Sequence, residues 1–274
     1  MKKFQPSISS FNENRKKVLD NITDLVYNIR MDGMKTKTSE NELIEVNDDV
    51  MKLVKGVRRF AKTGSDITLD AVIDKLESQT APVYKAFADA KLSPPVLAGG
   101  AIRDTLLGIS PADWDFFWHG KGSADEDLDE ITYVLLSLRD TLGAVEYPYL
   151  VVSNYKGADD TVEAFDVMEM YHEVGRLFEV YQVINRKDFS TAKELIDSFD
   201  YSLVRGYYDP LLKKIFVGAD FIESLATRKV FVKDEKTYHR LVNFNYKFSY
   251  AFAATGPGVP QKKKHSKYII STTF

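Results

Sequence analysis

The sequence predicts an α+β protein, a mixed or antiparallel sheet backed by helices, with helical segments before and after it. Three observations carry this. Apolar residues recur at helical spacing near both ends of the chain, short β-branched and aromatic runs occupy the middle, and Leu97 to Trp118 joins the two patterns. That stretch, LAGGAIRDTLLGISPADWDFFW, holds a strand end, two glycines, a short helix and an Asp-x-Asp pair in one strand–turn–helix–strand unit.

Taken in order, residues 1–91 read as a helical region. Val18, Ile22, Leu25 and Val26 share one face; after a polar stretch from Asp32 to Asn41, Val50, Leu53, Val57 and Phe60 share another. A third helix passes through Leu69, Val72, Ile73 and Leu76, with a break expected at Pro82. Pro94 to Ala98 is an apolar run ending at Gly99-Gly100, and Ile102 and Leu106 are one helical turn apart, with Gly108 as the stop. Trp118 to Gly122 is a turn. Ser123 to Glu126 has the capping-box pattern, opening a helix with Leu128, Ile131, Leu135, Leu138 and Leu142 inward. Strands are expected at Val145–Ser153, Phe178–Asn185 and Tyr201–Tyr208, with a helix capped by Thr191 and Glu194 between the last two. A closing helix from Asp234 to about Ala253 precedes a Gly/Pro breaker and the basic run Lys262–Lys267. The expected division is 1–91, a central unit 92–232, and 233–274.

Composition narrows the function classes. With 274 residues, 44% hydrophobic, the chain can bury one substantial core. A net charge of −3 gives no global footprint of a nucleic-acid coat, so any such contact is local, with Lys262–Lys267 the first candidate. Zero cysteines exclude disulfides and thiolate metal sites, and four scattered histidines make no zinc motif. MKKFQPSISS lacks an apolar segment after its lysines, and no apolar run reaches about 18 residues. The expectation is a cytoplasmic protein with no membrane partner.

The chemistry concentrates at Asp113 and Asp115. Two residues apart in a strand, they project from one face, roughly 6 to 7 Å apart, while Trp114 points the other way. Carboxylates so placed among aromatics call for a cation, and Mg²⁺ or Mn²⁺ takes one or two carboxylates plus substrate phosphates. Gly99 and Gly100 open the following helix, where backbone N–H groups and the helix dipole favour an anion such as a triphosphate. Gly120-Lys121-Gly122-Ser123 does not complete a P-loop, since the first glycine would fall at Asp115 and the Ser/Thr at Gly122.

These residues resemble a known signature. GGAIRDTLLG followed by DWD is similar to the GGxxRDxLLG…DxD pattern of the DNA polymerase β-like nucleotidyltransferase superfamily, in particular the head of CCA-adding enzymes and bacterial poly(A) polymerases. Ser198 to Asp209, SFDYSLVRGYYD, resembles the same enzymes' RRDFTxNAxxYD motif, with Ser198 and Phe199 in place of the arginines and Val204 in place of the Asn. The likeness spans Pro94 to Asp209 and extends to compact nucleotidyltransferases frequent in tailed-phage genomes.

The resemblance implies an enzyme that transfers a nucleoside monophosphate from an NTP to an acceptor hydroxyl, first of all an RNA or tRNA 3′ end. Asp113 and Asp115 would be metal ligands, Gly99 and Gly100 would contact phosphate, and Arg103 and Asp104 would hold the site together. A third carboxylate is expected on a neighbouring strand: Asp200 is favoured over Glu179, with Asp166 third. Two other readings stay open. One is a nucleotidyltransferase acting on a protein or small molecule; the other is a non-catalytic nucleotide-binding or assembly module, for example of a phage particle.

Overall fold

The computed structural model describes residues 42–62, 67–120, 124–142, 166–174, 177–186 and 188–260. The stripe Val18–Val26, the Ser123 capping box, the strand expected at 145–153, Lys121 and the basic run Lys262–Lys267 lie outside these residues. What is described is a mixed α+β fold built on a seven-stranded sheet.

The strands are β1 (Leu43–Glu45), β2 (Val96–Ala98), β3 (Asp113–Trp118), β4 (Asp166–Val174), β5 (Leu177–Asn185), β6 (Gly206–Asp209) and β7 (Lys214–Gly218), in the order β1-β7-β6-β2-β3-β5-β4. All neighbours are antiparallel except β3 and β5, which run parallel with Asp113 opposite Val180 and Asp115 opposite Gln182. A parallel pair needs a crossover, supplied here by the chain that carries α4 (Ala124–Leu142) and β4. β8 (Lys229–Phe231) and β9 (Ala253–Thr255) form a separate parallel pair.

The sheet has two unequal sides. On one, Leu97, Trp114, Phe116, Trp118, Tyr181, Val183, Tyr208 and Val217 join the main core, covered by α1 (Asp48–Ala61), α2 (Leu69–Asp89), α3 (Gly100–Leu106), α4 and α6 (Ala219–Thr227). On the other, Ala98, Phe117 and Ile184 meet Phe189 and the short α5 (Ala192–Asp197) in a small cluster. Asp113 and Asp115 share the face of Phe117. Slipping β3 by one residue would bury both carboxylates and expose three large rings. At about 25 cal/mol per Å² and ~150 to 200 Å² per ring, the loss is on the order of 10 kcal/mol, so the register is fixed.

Helix ends follow their sequence signals. Asn47 caps α1 by accepting from the N–H of Asp49 and Val50, Thr68 caps α2, and Thr191 caps α5 while Glu194 reaches back to Ser190. Gly108 (φ 69°) ends α3, its N–H bonded to the Thr105 carbonyl and the Ile109 N–H to that of Asp104. The main core draws on all three expected divisions, from Val50 and Phe87 through Trp114 to Phe244 and Phe252.

Several expectations are corrected. The region before residue 91 is not all helical, because β1 adds an edge strand to β7; three residues are too few to show a period. α2 runs through Pro82, since the helix buries Val72, Leu76, Val83, Ala86 and Phe87, and that burial outweighs a proline penalty of about 3 kcal/mol. Phe60 is exposed, stacked under the Arg228 guanidinium at 4.0 Å from the ring centroid. Tyr201–Tyr208 is not one strand: a 3₁₀ turn at Ser202–Val204 precedes β6. The last helix, α7 (Glu235–Lys247), stops early, where Ser249 and Tyr250 turn left-handed and the Asn245 amide bridges both backbone groups of Phe252.

Asp234 caps α7 by accepting from the Thr237 N–H at 2.7 Å, and that bond holds its carboxyl below the usual range. Its stabilisation is therefore present above the ordinary carboxylate pKa of about 4 and lost as pH falls through the lowered value. Asp234→Ala is expected to cost about 1 kcal/mol at pH 7 by chemical denaturation, a gap that narrows below pH 4.

Candidate active site

β2 ends where the chain must reverse into α3, and Gly99 makes the reversal at φ 87° and ψ −136°, a conformation other residues avoid. Its N–H donates to the Gly206 carbonyl at 3.0 Å, tying the bend to β6. The first helical bond, Arg103 N–H to the Gly99 carbonyl, closes at 3.4 Å, so the N–H groups of Gly100, Ala101 and Ile102 precede the helical ladder. A Cβ on Gly99 would stand 3.8 Å from Oδ2 of Asp115 and 3.8 Å from the ring of Phe199. Bend, carboxylate and aromatic ring thus meet at one point on the sparsely covered side of the sheet.

Asp113 and Asp115 are both half-buried and alternate with buried Trp114 and Phe116. Oδ1 of Asp115 is buried, while Oδ2 faces the bend. Two carboxylates on one strand face beside a backbone cradle are hard oxygen donors of the kind Mg²⁺ or Mn²⁺ prefers, so the residues present fit such an ion. Among the described residues, no group of three or more His, Cys, Asp or Glu side chains is gathered as a ligand set.

Arg103 ties the site to its surroundings. Only 9% exposed, it donates from Nε to Asp104 at 2.6 Å and from Nη1 to the Tyr201 hydroxyl at 2.5 Å, and its guanidinium lies 4.0 Å from the Phe244 ring centroid on α7. Burial opposes its charge, but Tyr201, Asp104 and Asp113 together hold it above the ordinary guanidinium value. Burial raises the Tyr201 phenol, with Arg103 and Arg240 opposing, so it stays a neutral acceptor at neutral pH.

The segment expected to supply the third acid is held by two arginines. Arg205 donates from Nε and Nη2 to the Phe199 carbonyl and from Nη1 to Asp220 at 2.7 Å. Burial raises the Asp220 carboxyl, with Arg205 opposing. The Phe199 ring packs on Phe117 at 5.4 Å between centroids, and the next residue, Asp200, is ion-paired with Arg240 of α7 at 2.5 Å. Glu179 lies on β5, but β5 places Val180 and Gln182 opposite Asp113 and Asp115. Asp166 starts β4, opposite Asn185.

The spacing of the acids and glycines was readable in the chain. Arg205, Arg240, Phe244 and Tyr201 as supports were not, because their partners lie 15, 40, 141 and 98 residues away. The signal closest to hand was the arginine inside SFDYSLVRGYYD.

The profile of the Gabija anti-defense 2 family matches residues 65–228. The chain belongs to that family. The matched span contains the bend, both aspartates of β3 and Asp200, and stops before α7. No curated protein matches the chain. Solved structures similar to it include a CCA-adding enzyme with CTP, 16% identical, with a TM-score of 0.44 covering 78% of this chain and 44% of that one. A CCA-adding enzyme with ATP gives 16%, 0.44, 78% and 43%. The Thermotoga maritima CCA-adding enzyme complexed with tRNA gives 16%, 0.43, 78% and 43%. The chain spans less than half the length of these enzymes.

The two glycines are expected to respond oppositely to the same change. Gly99→Ala forces an L-residue into a strained conformation and lowers unfolding free energy by about 1 to 3 kcal/mol. Gly100→Ala, in helix with its Cβ at 3.6 Å from Arg103 Nη2, is neutral or stabilising by up to about 1 kcal/mol. Equal effects in urea denaturation would contradict the bend described.

Proposed function

We propose that this protein is a metal-dependent nucleotidyltransferase that transfers a nucleoside monophosphate from an NTP to an acceptor hydroxyl, in the cytoplasm, as part of counteracting the Gabija defence. The observation that carries the reading is the Asp115 carboxylate set against the Gly99 bend, on the strand face it shares with Asp113.

Asp113 and Asp115 would hold Mg²⁺ or Mn²⁺. Such ions lower the pKa of the acceptor hydroxyl and offset charge on the departing phosphates. The N–H groups of Gly100 and Ala101, which precede the helical ladder just after the Gly99 bend, would cradle the triphosphate, aligning the α-phosphorus so that the acceptor oxygen bonds to it as pyrophosphate leaves on the opposite side. Arg103 and Asp104 act by position, anchoring α3 to Tyr201 and to α7. Asp200 adjoins the residue that touches the bend, and Glu179 lies on the strand beside β3. Comparing turnover of Asp200→Asn with Glu179→Gln decides which completes the acid set. Residues 92–232 form the catalytic unit in this reading, with 1–91 and 233–274 as its flanks.

The leading acceptor is an RNA 3′ end, including tRNA. The family description favours a second reading, in which the acceptor is a component of the Gabija defence itself. Both are tested by incubating the protein with each α-labelled NTP, Mg²⁺ or Mn²⁺, total tRNA and purified Gabija proteins. Label is expected on an acceptor, and Asp113→Ala or Asp115→Ala should reduce it by at least about 100-fold without unfolding the protein. EDTA should abolish it. Label on RNA supports the first reading and label on a Gabija protein the second. Transfer persisting in both variants contradicts the assigned site. Thermal stabilisation by NTP and metal without transfer contradicts catalysis and leaves a nucleotide-binding module.

A further inference from the structure

A cation that folding removes from water needs acceptors, and among the described residues one arginine has buried donors without them. Arg58 lies in the last turn of α1, on the inward side with Val54, Val57 and Ala61, and is 6% exposed. Its Nε and Nη1 are buried and donate to no acceptor among the described residues. The guanidinium lies across Gly108, the residue that ends α3: a Cβ there would come within 2.6 Å of Nη2, 2.8 Å of Cζ and 3.0 Å of Nε. With φ 69°, Gly108 is in the region that favours glycine, and any side chain there would also displace the guanidinium.

Nearby backbone does not answer the charge. The carbonyls at the end of α3 accept from its own cap, Arg103 from Leu107 N–H, Asp104 from Ile109 N–H and Thr105 from Gly108 N–H, and none accepts from Nε or Nη1 of Arg58. The Thr105 hydroxyl on the same helix is also buried without a partner. Helix C-terminal dipoles favour a cation here, but a dipole does not fill the hydrogen-bond positions of a guanidinium. The contrast within the chain is sharp. Arg103, buried to a similar degree, has Asp104, Tyr201 and Phe244; Arg205 has Phe199 and Asp220. Around Arg58 the surface stays cationic, with Arg59 following it and Lys62 capping the helix; among the described residues none of the three forms an ion pair.

We infer that Arg58 is the recognition group of a second oxyanion site, which takes a phosphate group at the C-terminal ends of α1 and α3. A guanidinium suits phosphate because its fixed donors match two or more oxygens at once. The site is separate from the Gly99 bend, which lies at the other end of α3, and it stands whether or not Asp113 and Asp115 carry transfer. The phosphate comes either from a nucleic-acid backbone or from a free phosphate or nucleotide.

The test uses the full chain and compares wild type with Arg58→Met and Arg58→Lys, with inorganic phosphate and a single-stranded RNA oligonucleotide as probes at matched ionic strength. Phosphate is expected to raise the wild-type melting temperature by about 2 to 4 °C, and sodium chloride is not. Arg58→Met should lose that response and, without ligand, melt above wild type, since it removes an unanswered buried charge. Arg58→Lys should keep part of the response. RNA binding that weakens tenfold or more in Arg58→Met assigns the phosphate to a nucleic-acid backbone; unchanged RNA binding with loss of the phosphate response assigns it to a free anion. An unchanged phosphate response in Arg58→Met overturns the site, as does a wild type that does not respond, which would point to a carboxylate of the chain as the partner. Should Arg58→Met fail to fold, the Arg58 Nε–Hε resonance, assigned by its loss in Arg58→Lys, decides: a shift on phosphate addition supports the site and none overturns it.

Discussion

Strand β3 is hydrogen-bonded on both sides, by β2 and by β5, and its side chains alternate between two environments that cannot be exchanged. Trp114, Phe116 and Trp118 face the main core; Asp113 and Asp115 face the thinly covered side. The aromatic burial holds the carboxylates where they are. Their mutual repulsion is a local cost that core packing many times larger sustains, and this is how a stable fold keeps two like charges together.

The glycine bend depends on the same strand. β2 lies between β3 and β6, so the end of β2 reaches the acid face, and the Gly99 N–H bond to Gly206 fixes where it turns. From there the supports radiate through long-range contacts. Arg103 links α3 to Tyr201 and α7, Arg205 holds the Phe199 carbonyl, and Arg240 holds Asp200. α7 thus braces the site from outside the span that defines the family. Arg58 differs from these arginines in that its buried Nε and Nη1 have no acceptor among the described residues, which is why it reads as a binding group and they read as struts.

The sequence made the central unit legible because its signals are local. Gly99, Gly108, Asp113 and Asp115 all fall in the one stretch from Leu97 to Trp118, and period-2 alternation separates acids from rings without knowledge of the rest. The cap at Thr191 and the helix start at Asp234 were legible for the same reason. β1 was not, because three residues carry no period and its partner β7 lies far along the chain. Phe60 was assigned inward by periodicity, but the inward side of the last turn of α1 is Val57, Arg58 and Ala61, which leaves Phe60 on the outer side. The end of α7 was missed because it rests on Asn245 bridging to Phe252 and on two left-handed residues that are not glycine. Whether Asp200 or Glu179 is placed to join Asp113 and Asp115 was not legible either, since that depends on the Arg240 ion pair and the β5 register.

The central claim is that the two aspartates of β3 and the Gly99 bend form one divalent-ion and triphosphate site. Crystals grown with Mn²⁺ and a non-hydrolysable NTP analogue test it most directly, through anomalous scattering. The account predicts a manganese peak between Asp113 and Asp115, with the triphosphate lying against Gly99 and Gly100. Manganese and nucleotide bound elsewhere, with both carboxylates lacking metal, would contradict it.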